Sequence, residues 1–239
     1  MASVDRGGSA WPVDASGLDA EQERLASLEP TGWAPPDGAW RAAGVFLAFA
    51  RGEQGPGHAG DRGWAGAATI AVPGLTRVEA AVVIRSAGAS YERGRLALRE
   101  GPALTAAVSA LPTRPDLLFV DATGRDHPRG AGLALHLGAI LDVPTVGVTH
   151  RPLLARGPEP GPNRGDVAPL TLDGAVVGAW VRTRPRVRPV VVHAAWRTDT
   201  ALAVEVVLAC VARARTPEPL RQAREVARIA RARAEGRTP

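Results

Sequence analysis

Two carboxylates and one imidazole carry most of the chemical promise of this chain. An apolar run, Leu117 to Val120, ends on Asp121, and a small-residue turn then leads to His127, held between Asp126 and Pro128. A buried strand of this kind delivers its last side chain to the carboxyl edge of a sheet, where open α/β folds place their ligands. A charge there is costly to bury unless a cation, a partner or a substrate meets it. Upstream, Arg99-Glu100 sits inside a helical segment that begins near Leu96. If the fold brings Glu100 and Asp121 together, their oxygens suit Mg²⁺, which binds through one or two carboxylates plus phosphate. Such an ion activates water and steadies the leaving oxygen in phosphodiester hydrolysis. His127 would then act as a base or orient the water. On pattern alone this signal is weak, because exposed carboxylates are common.

These residues need elements to position them. Apolar runs and alternation predict strands over 42–50, 65–72, 78–85, 117–120, 144–148, 175–181 and 189–192. Helical spacing and flanking prolines predict helices over 18–28, 96–111, 130–141, 198–213 and 217–234. Residues 1–16 read as unstructured, 30–38 as a linker, and 51–63 and 157–165 as glycine-rich loops. Three strands in a meander, followed by alternating helix and strand, imply an α/β fold with a mixed sheet flanked by helices. Ribonuclease-H-like proteins have this order, with active sites where the first and fourth strands run side by side. The expected organisation is an N-terminal tail, short helix and linker over 1–38, then a single domain over 39–239.

Composition narrows the partners. The formal charge is +5, and every basic residue is arginine, so no lysine can act as acid, base or Schiff-base nucleophile. Residues 1–150 hold 13 arginines against 16 carboxylates, whereas residues 151–239 hold 16 against 8. A basic second half suits an anionic partner, nucleic acid first, although a well-solvated surface reads equally well. The arginines at 221, 224, 228 and 231 share one face of the last helix, a stripe that tracks phosphates or, more often, faces solvent. One cysteine, Cys210, excludes an internal disulfide and a cysteine-based zinc cluster. No apolar stretch approaches the roughly 18 residues of a membrane span, and the polar N-terminus lacks the apolar core of a signal peptide. A cytoplasmic protein without membrane contact, and a monomer, is expected.

Several blocks resemble the endonuclease V family. The strongest runs from Val120-Asp121 through His127-Pro128-Arg129 and on to Gly132-Leu133-Ala134-Leu135-His136-Leu137-Gly138. Tyr91 through Arg99-Glu100, Pro144 to Val148, Gly178 to Arg184 and Thr216 to Arg221 resemble further blocks in the family's order, so the likeness spans about Gln22 to Arg224. The resemblance implies a ribonuclease-H-like hydrolase of DNA repair. It would use Mg²⁺, or Mn²⁺, to cleave a phosphodiester 3′ to hypoxanthine in DNA, or in RNA. It implies Glu100 and Asp121 as metal ligands and catalytic groups, His127 as the active-site histidine, and Tyr91 as the wedge that parts the strands. Gly94, Leu96 and Leu153 would line the pocket of the flipped base, with His136 nearby. Extruding a base in order to inspect it is the general solution for such enzymes.

The pattern breaks at positions that matter. Where the family carries a first-strand aspartate, this chain has Phe46, and a phenyl ring ligates no Mg²⁺. The family's active-site lysine falls at His150, read here as an acid or a ligand for a softer metal. Asp126, Glu53 and Asp61 are the candidate replacement carboxylates. Two functions follow: a metal-dependent endonuclease with an altered and impaired centre, or a degenerate relative that binds nucleic acid without cleaving it.

Overall fold

The molecule is described by a computed structural model over residues 10–51 and 57–237. β1 (Trp40–Phe49), β2 (Arg62–Val72) and β3 (Thr76–Ser86) form an antiparallel meander. β4 (Leu117–Val120) and β5 (Thr145–Thr149) extend it in parallel with β1, and β6 (Val167–Leu172), β7 (Ala175–Val181) and β8 (Val190–Ala194) complete the far side. The eight strands lie in the order β3-β2-β1-β4-β5-β8-β7-β6. This mixed sheet flanked by helices is the ribonuclease-H-like α/β arrangement expected, with the first and fourth strands adjacent.

Two apolar layers cover the sheet. On one face α1 (Ala15–Ala26), α2 (Leu96–Ser109) and α3 (Leu133–Leu141) enclose Val45, Leu118 and Val120. On the other, α4 (Thr200–Ala209) and the start of α5 (Glu218–Ala234) enclose Ile70, Phe119, Val146 and Val192. The alternation of the strands sets this division, since successive side chains point to opposite faces. β4 is buried on both faces, which is why it reads as an unbroken apolar run.

Two expectations are corrected. The described part of 1–16 is packed: the Trp11 indole lies on the His136 ring at 4.4 Å and donates to Thr105 Oγ1 at 2.9 Å. α1 then buries Leu18 and Leu25 in the core. Second, 167–172 is a strand that the sequence reading left out. Its Pro169 argues against a strand in general but is tolerated at a sheet edge, where β6 lies.

α5 owes its close approach to small residues beneath it. A Cβ on Gly44 of β1 would stand 2.2 Å from the Pro219 carbonyl, and one on Gly66 of β2 would stand 2.8 Å from the backbone of Ala223 and Ala227. The helix therefore rests directly on the strand that carries Phe46.

Candidate active site

β1 and β4 pair in parallel, with Val45 opposite Val120 as the last paired residues. One step further along each strand stand Phe46 and Asp121, side by side at the carboxyl edge. Asp121 lines a pocket of about 310 Å³ together with Tyr91, Gly94, Leu96, His127 and Leu153. That volume lies at the small end of ligand pockets. The structure thus brings together six of the sequence-selected residues around one opening. Glu100 sits behind them on α2, partly buried and close enough to feel the charge of Asp121. Burial raises its carboxyl to about 7, Arg99 opposes the rise, and Asp121 adds to it. The two acids therefore lie within electrostatic reach of each other.

His127 does not stand ready as a base. Its Nδ1 accepts the Arg129 backbone N–H at 3.3 Å, so Nε2 carries the proton and donates to the Gly94 carbonyl at 3.0 Å. Burial, then the Arg129 charge, lowers its pKa to about 4. A neutral imidazole with both nitrogens engaged is a brace. It holds the turn at Gly94, whose φ of +81° only glycine adopts without strain. Arg129 joins the same carbonyl at 2.9 Å, binds Gln22 at 2.7 Å and pairs with Asp19 at 3.1 Å. α1 is thereby tied to the pocket rim, a role for Gln22, Asp19 and Arg129 that the sequence reading missed, because it depends on a helix far away in the chain.

Two candidates lie elsewhere. His136 is fully buried beneath Trp11, with both ring nitrogens lacking partners, and cannot meet a base in the pocket. Its placement among Leu133, Leu135 and Leu137 follows from the apolar face of α3. His150 stands at the end of β5 in a separate basin and receives an Arg215 N–H at 3.2 Å. Burial first, then the Arg215 and Arg224 charges, lower its pKa, while Asp121 opposes them. It therefore lies within electrostatic reach of Asp121 but outside the base pocket.

No replacement for the missing carboxylate is found among the described residues. Asp126 is fully buried and accepts the backbone N–H groups of Leu153, Leu154 and Ala155 at 2.7–2.8 Å. Asp61 pairs with Arg99 at 2.7 Å, both side chains buried. Glu53 lies outside the described residues. In place of a third acid stands a cation. Arg224 of α5 donates from Nη2 to Asp121 Oδ2 at 2.7 Å, and its guanidinium lies over the Phe46 ring at 5.4 Å.

These residues do not fit a divalent cation well. No three His, Cys, Asp or Glu side chains group to hold a metal among the described residues. Of the two surviving acids, Asp121 already has a cationic partner in Arg224 at 2.7 Å.

Comparison with known proteins settles the lineage. The Endonuclease V family profile matches residues 41–225. The chain belongs to the endonuclease V family. The endonuclease V of Roseiflexus castenholzii is 37% identical over 214 residues, spanning 89% of this chain and 91% of that one. The crystal structure of Streptomyces avermitilis endonuclease V superposes with a TM-score of 0.83 at 34% identity, covering 95% and 96% of the two chains. The Ciona intestinalis endonuclease V, solved with a 24mer DNA containing an inosine followed by a ribo-adenosine, superposes with a TM-score of 0.77 at 20% identity over 92% and 98%. The last likeness speaks for the fold alone. Among the described residues, no helix is long and apolar enough to cross a membrane.

Proposed function

We infer that this endonuclease V family protein binds nucleic acid and seats a displaced base in the pocket between Tyr91 and Leu153, while its hydrolytic centre has lost the capacity to work through a metal. The Arg224–Asp121 ion pair, beside Phe46 where a third acid would stand, carries this reading. The retained pocket supports the binding half. Gly94 and Leu96 line it, His127 and Arg129 brace it, and Tyr91 is 48% exposed at its mouth, free to stack on a base. Inosine is the base to test first, because the chain belongs to the endonuclease V family and its resemblance to that family implies a hypoxanthine pocket.

The competing reading is hydrolysis 3′ to the deaminated base with Mg²⁺ or Mn²⁺. Two observations favour it: the chain belongs to the endonuclease V family, and Glu100 and Asp121 still lie within electrostatic reach of each other. A single assay separates the two. The protein is incubated with labelled inosine-containing DNA and RNA strands, with Mg²⁺ and separately with Mn²⁺, and both binding and nicking are read. Binding that prefers inosine, without nicking, is the expected result. Nicking 3′ to inosine with either ion would overturn the non-hydrolytic reading, and equal, feeble binding to all strands would overturn the binding one.

A further inference from the structure

The environment of Arg224 points beyond loss of a metal site to its replacement. A guanidinium presents five donors in a flat fork and matches carboxylate and phosphate alike. Arg224 uses Nη2 on Asp121, its side chain is 18% exposed, and its buried Nε has no partner in the structure. Phe46 holds the guanidinium at 5.4 Å from below and carries Arg228 at 5.6 Å beside it. The aromatic ring where an acid would be expected is thus a platform for two cations.

The surroundings repeat this charge on both sides. Beyond the end of β1 lies a shallow groove formed by Phe46, Phe49, Arg51, Arg228 and Arg231. On the other side, His150 and Arg215 open onto a basin of about 630 Å³ lined by Arg151, Arg186, Arg188 and Trp180, with Glu159 its single acid. Arg151 also lines the base pocket, so that pocket and basin share a wall. Arginine and aromatic groups in alternation along a groove are the means by which proteins hold single strands. The stripe on α5 is therefore not merely a solvated face, since Arg224 and Arg228 both pack on Phe46.

We propose that Arg224 takes the place of a divalent cation in this groove: its guanidinium neutralises Asp121 and receives a strand phosphate, so that the protein holds a polynucleotide strand without metal. The inference rests on the nucleic-acid-binding reading above and extends it to the groups that hold the backbone. Arg228 and Arg231 on one side, and Arg215 and Arg151 on the other, continue the phosphate path.

Two measurements test it. In the first, without nucleic acid, Mn²⁺ is titrated into wild type, Asp121→Asn and the double variant Phe46→Asp/Arg224→Ala, and free Mn²⁺ is read by electron paramagnetic resonance. Wild type and Asp121→Asn are expected to titrate alike, and the double variant to gain a site. A wild-type Mn²⁺ site that disappears in Asp121→Asn overturns the proposal while leaving strand binding intact. In the second, the affinity for a single-stranded inosine oligonucleotide is measured by fluorescence anisotropy in EDTA and in Mg²⁺ across salt concentrations. Wild type is expected to bind in EDTA without any need for Mg²⁺, which weakens binding only as a competing counterion does. Arg224→Ala is expected to weaken binding roughly tenfold and lower the salt slope by about one, and Arg224→Lys to fall between. Unchanged affinity and slope in Arg224→Ala overturn the phosphate role. Wild type that binds no strand in either buffer overturns that role together with the proposed function.

Discussion

His127 illustrates how the surroundings of a residue redirect what its type suggests. An imidazole beside two carboxylates suggests a base, yet its two nitrogens are engaged by the Arg129 backbone and the Gly94 carbonyl. Its substitution should therefore act on recognition. His127→Ala removes one hydrogen bond, worth about 1 kcal/mol, from the turn that shapes the pocket. Its preference for inosine over guanosine strands should fall about fivefold. Weaker binding to both strands with the preference intact would refute that assignment. Glu100 behaves differently. Its folded-state pKa, raised to about 7, lies above the 4.5 of the unfolded chain. The stability this confers is complete below pH 4.5 and is lost as pH rises through 7. Glu100→Gln should raise the melting temperature relative to wild type at pH 8, by up to about 3 kcal/mol of stability, and change little at pH 4.5. Equal shifts at both pH values would show that burial is not what governs this carboxyl.

At the level of elements, two packing devices place the site. The loop 151–155 hangs on Asp126, whose carboxylate caps three successive N–H groups. Asp126→Ala leaves those donors without partners and should cost about 3 kcal/mol, a melting shift of roughly 6–12 °C. Because Leu153 lines the base pocket, scanning calorimetry and strand affinity should change together. α5 is the second device. Gly44 and Gly66 admit its backbone onto β1 and β2, and the helix in turn lays Arg224 and Arg228 over Phe46. Gly44→Val should lift the start of α5, destabilise the fold by about 2 kcal/mol or more, and weaken strand binding as Arg224 moves. An unaltered melting temperature would deny the close approach. Helices and strands with strong apolar periodicity were legible in advance: Leu117–Val120 and Ala175–Val181 match their predicted bounds. The edge strand with Pro169 was not, because its pairing with β7 depends on a partner that no local pattern reveals.

Across the whole molecule, buried histidines set the response to acid. His127, His136 and His193 are each lowered to about 4, chiefly by burial, from an ordinary value of 6.5. A folded-state pKa below the unfolded one confers stability above pH 6.5 that is lost as pH falls toward 4. Each contributes on the order of 3 kcal/mol at most. The melting temperature should drop steeply between pH 6.5 and 4.5, and His136→Leu should flatten that slope. A wild-type melting temperature independent of pH over this range would contradict neutral burial of the three rings. The uneven charge of the chain also acquires a location, since much of the arginine excess after residue 150 borders the groove in which the base pocket opens.

The amino-acid order by itself determined the α/β class, the strand that presents Asp121, the blocks shared with endonuclease V and the absence of an acid at position 46. These are local or periodic properties, written in residues close together in the chain. Only the tertiary structure decided what fills the vacancy. Arg224 lies 103 positions from Asp121, on a helix whose approach depends on glycines in two strands, and the stripe it belongs to looks solvent-facing when the helix is read alone. Likewise His136 passed for a ligand contact until Trp11 covered it. Charge pairing and burial are set by distance in space, and a sequence specifies that distance only through the complete fold.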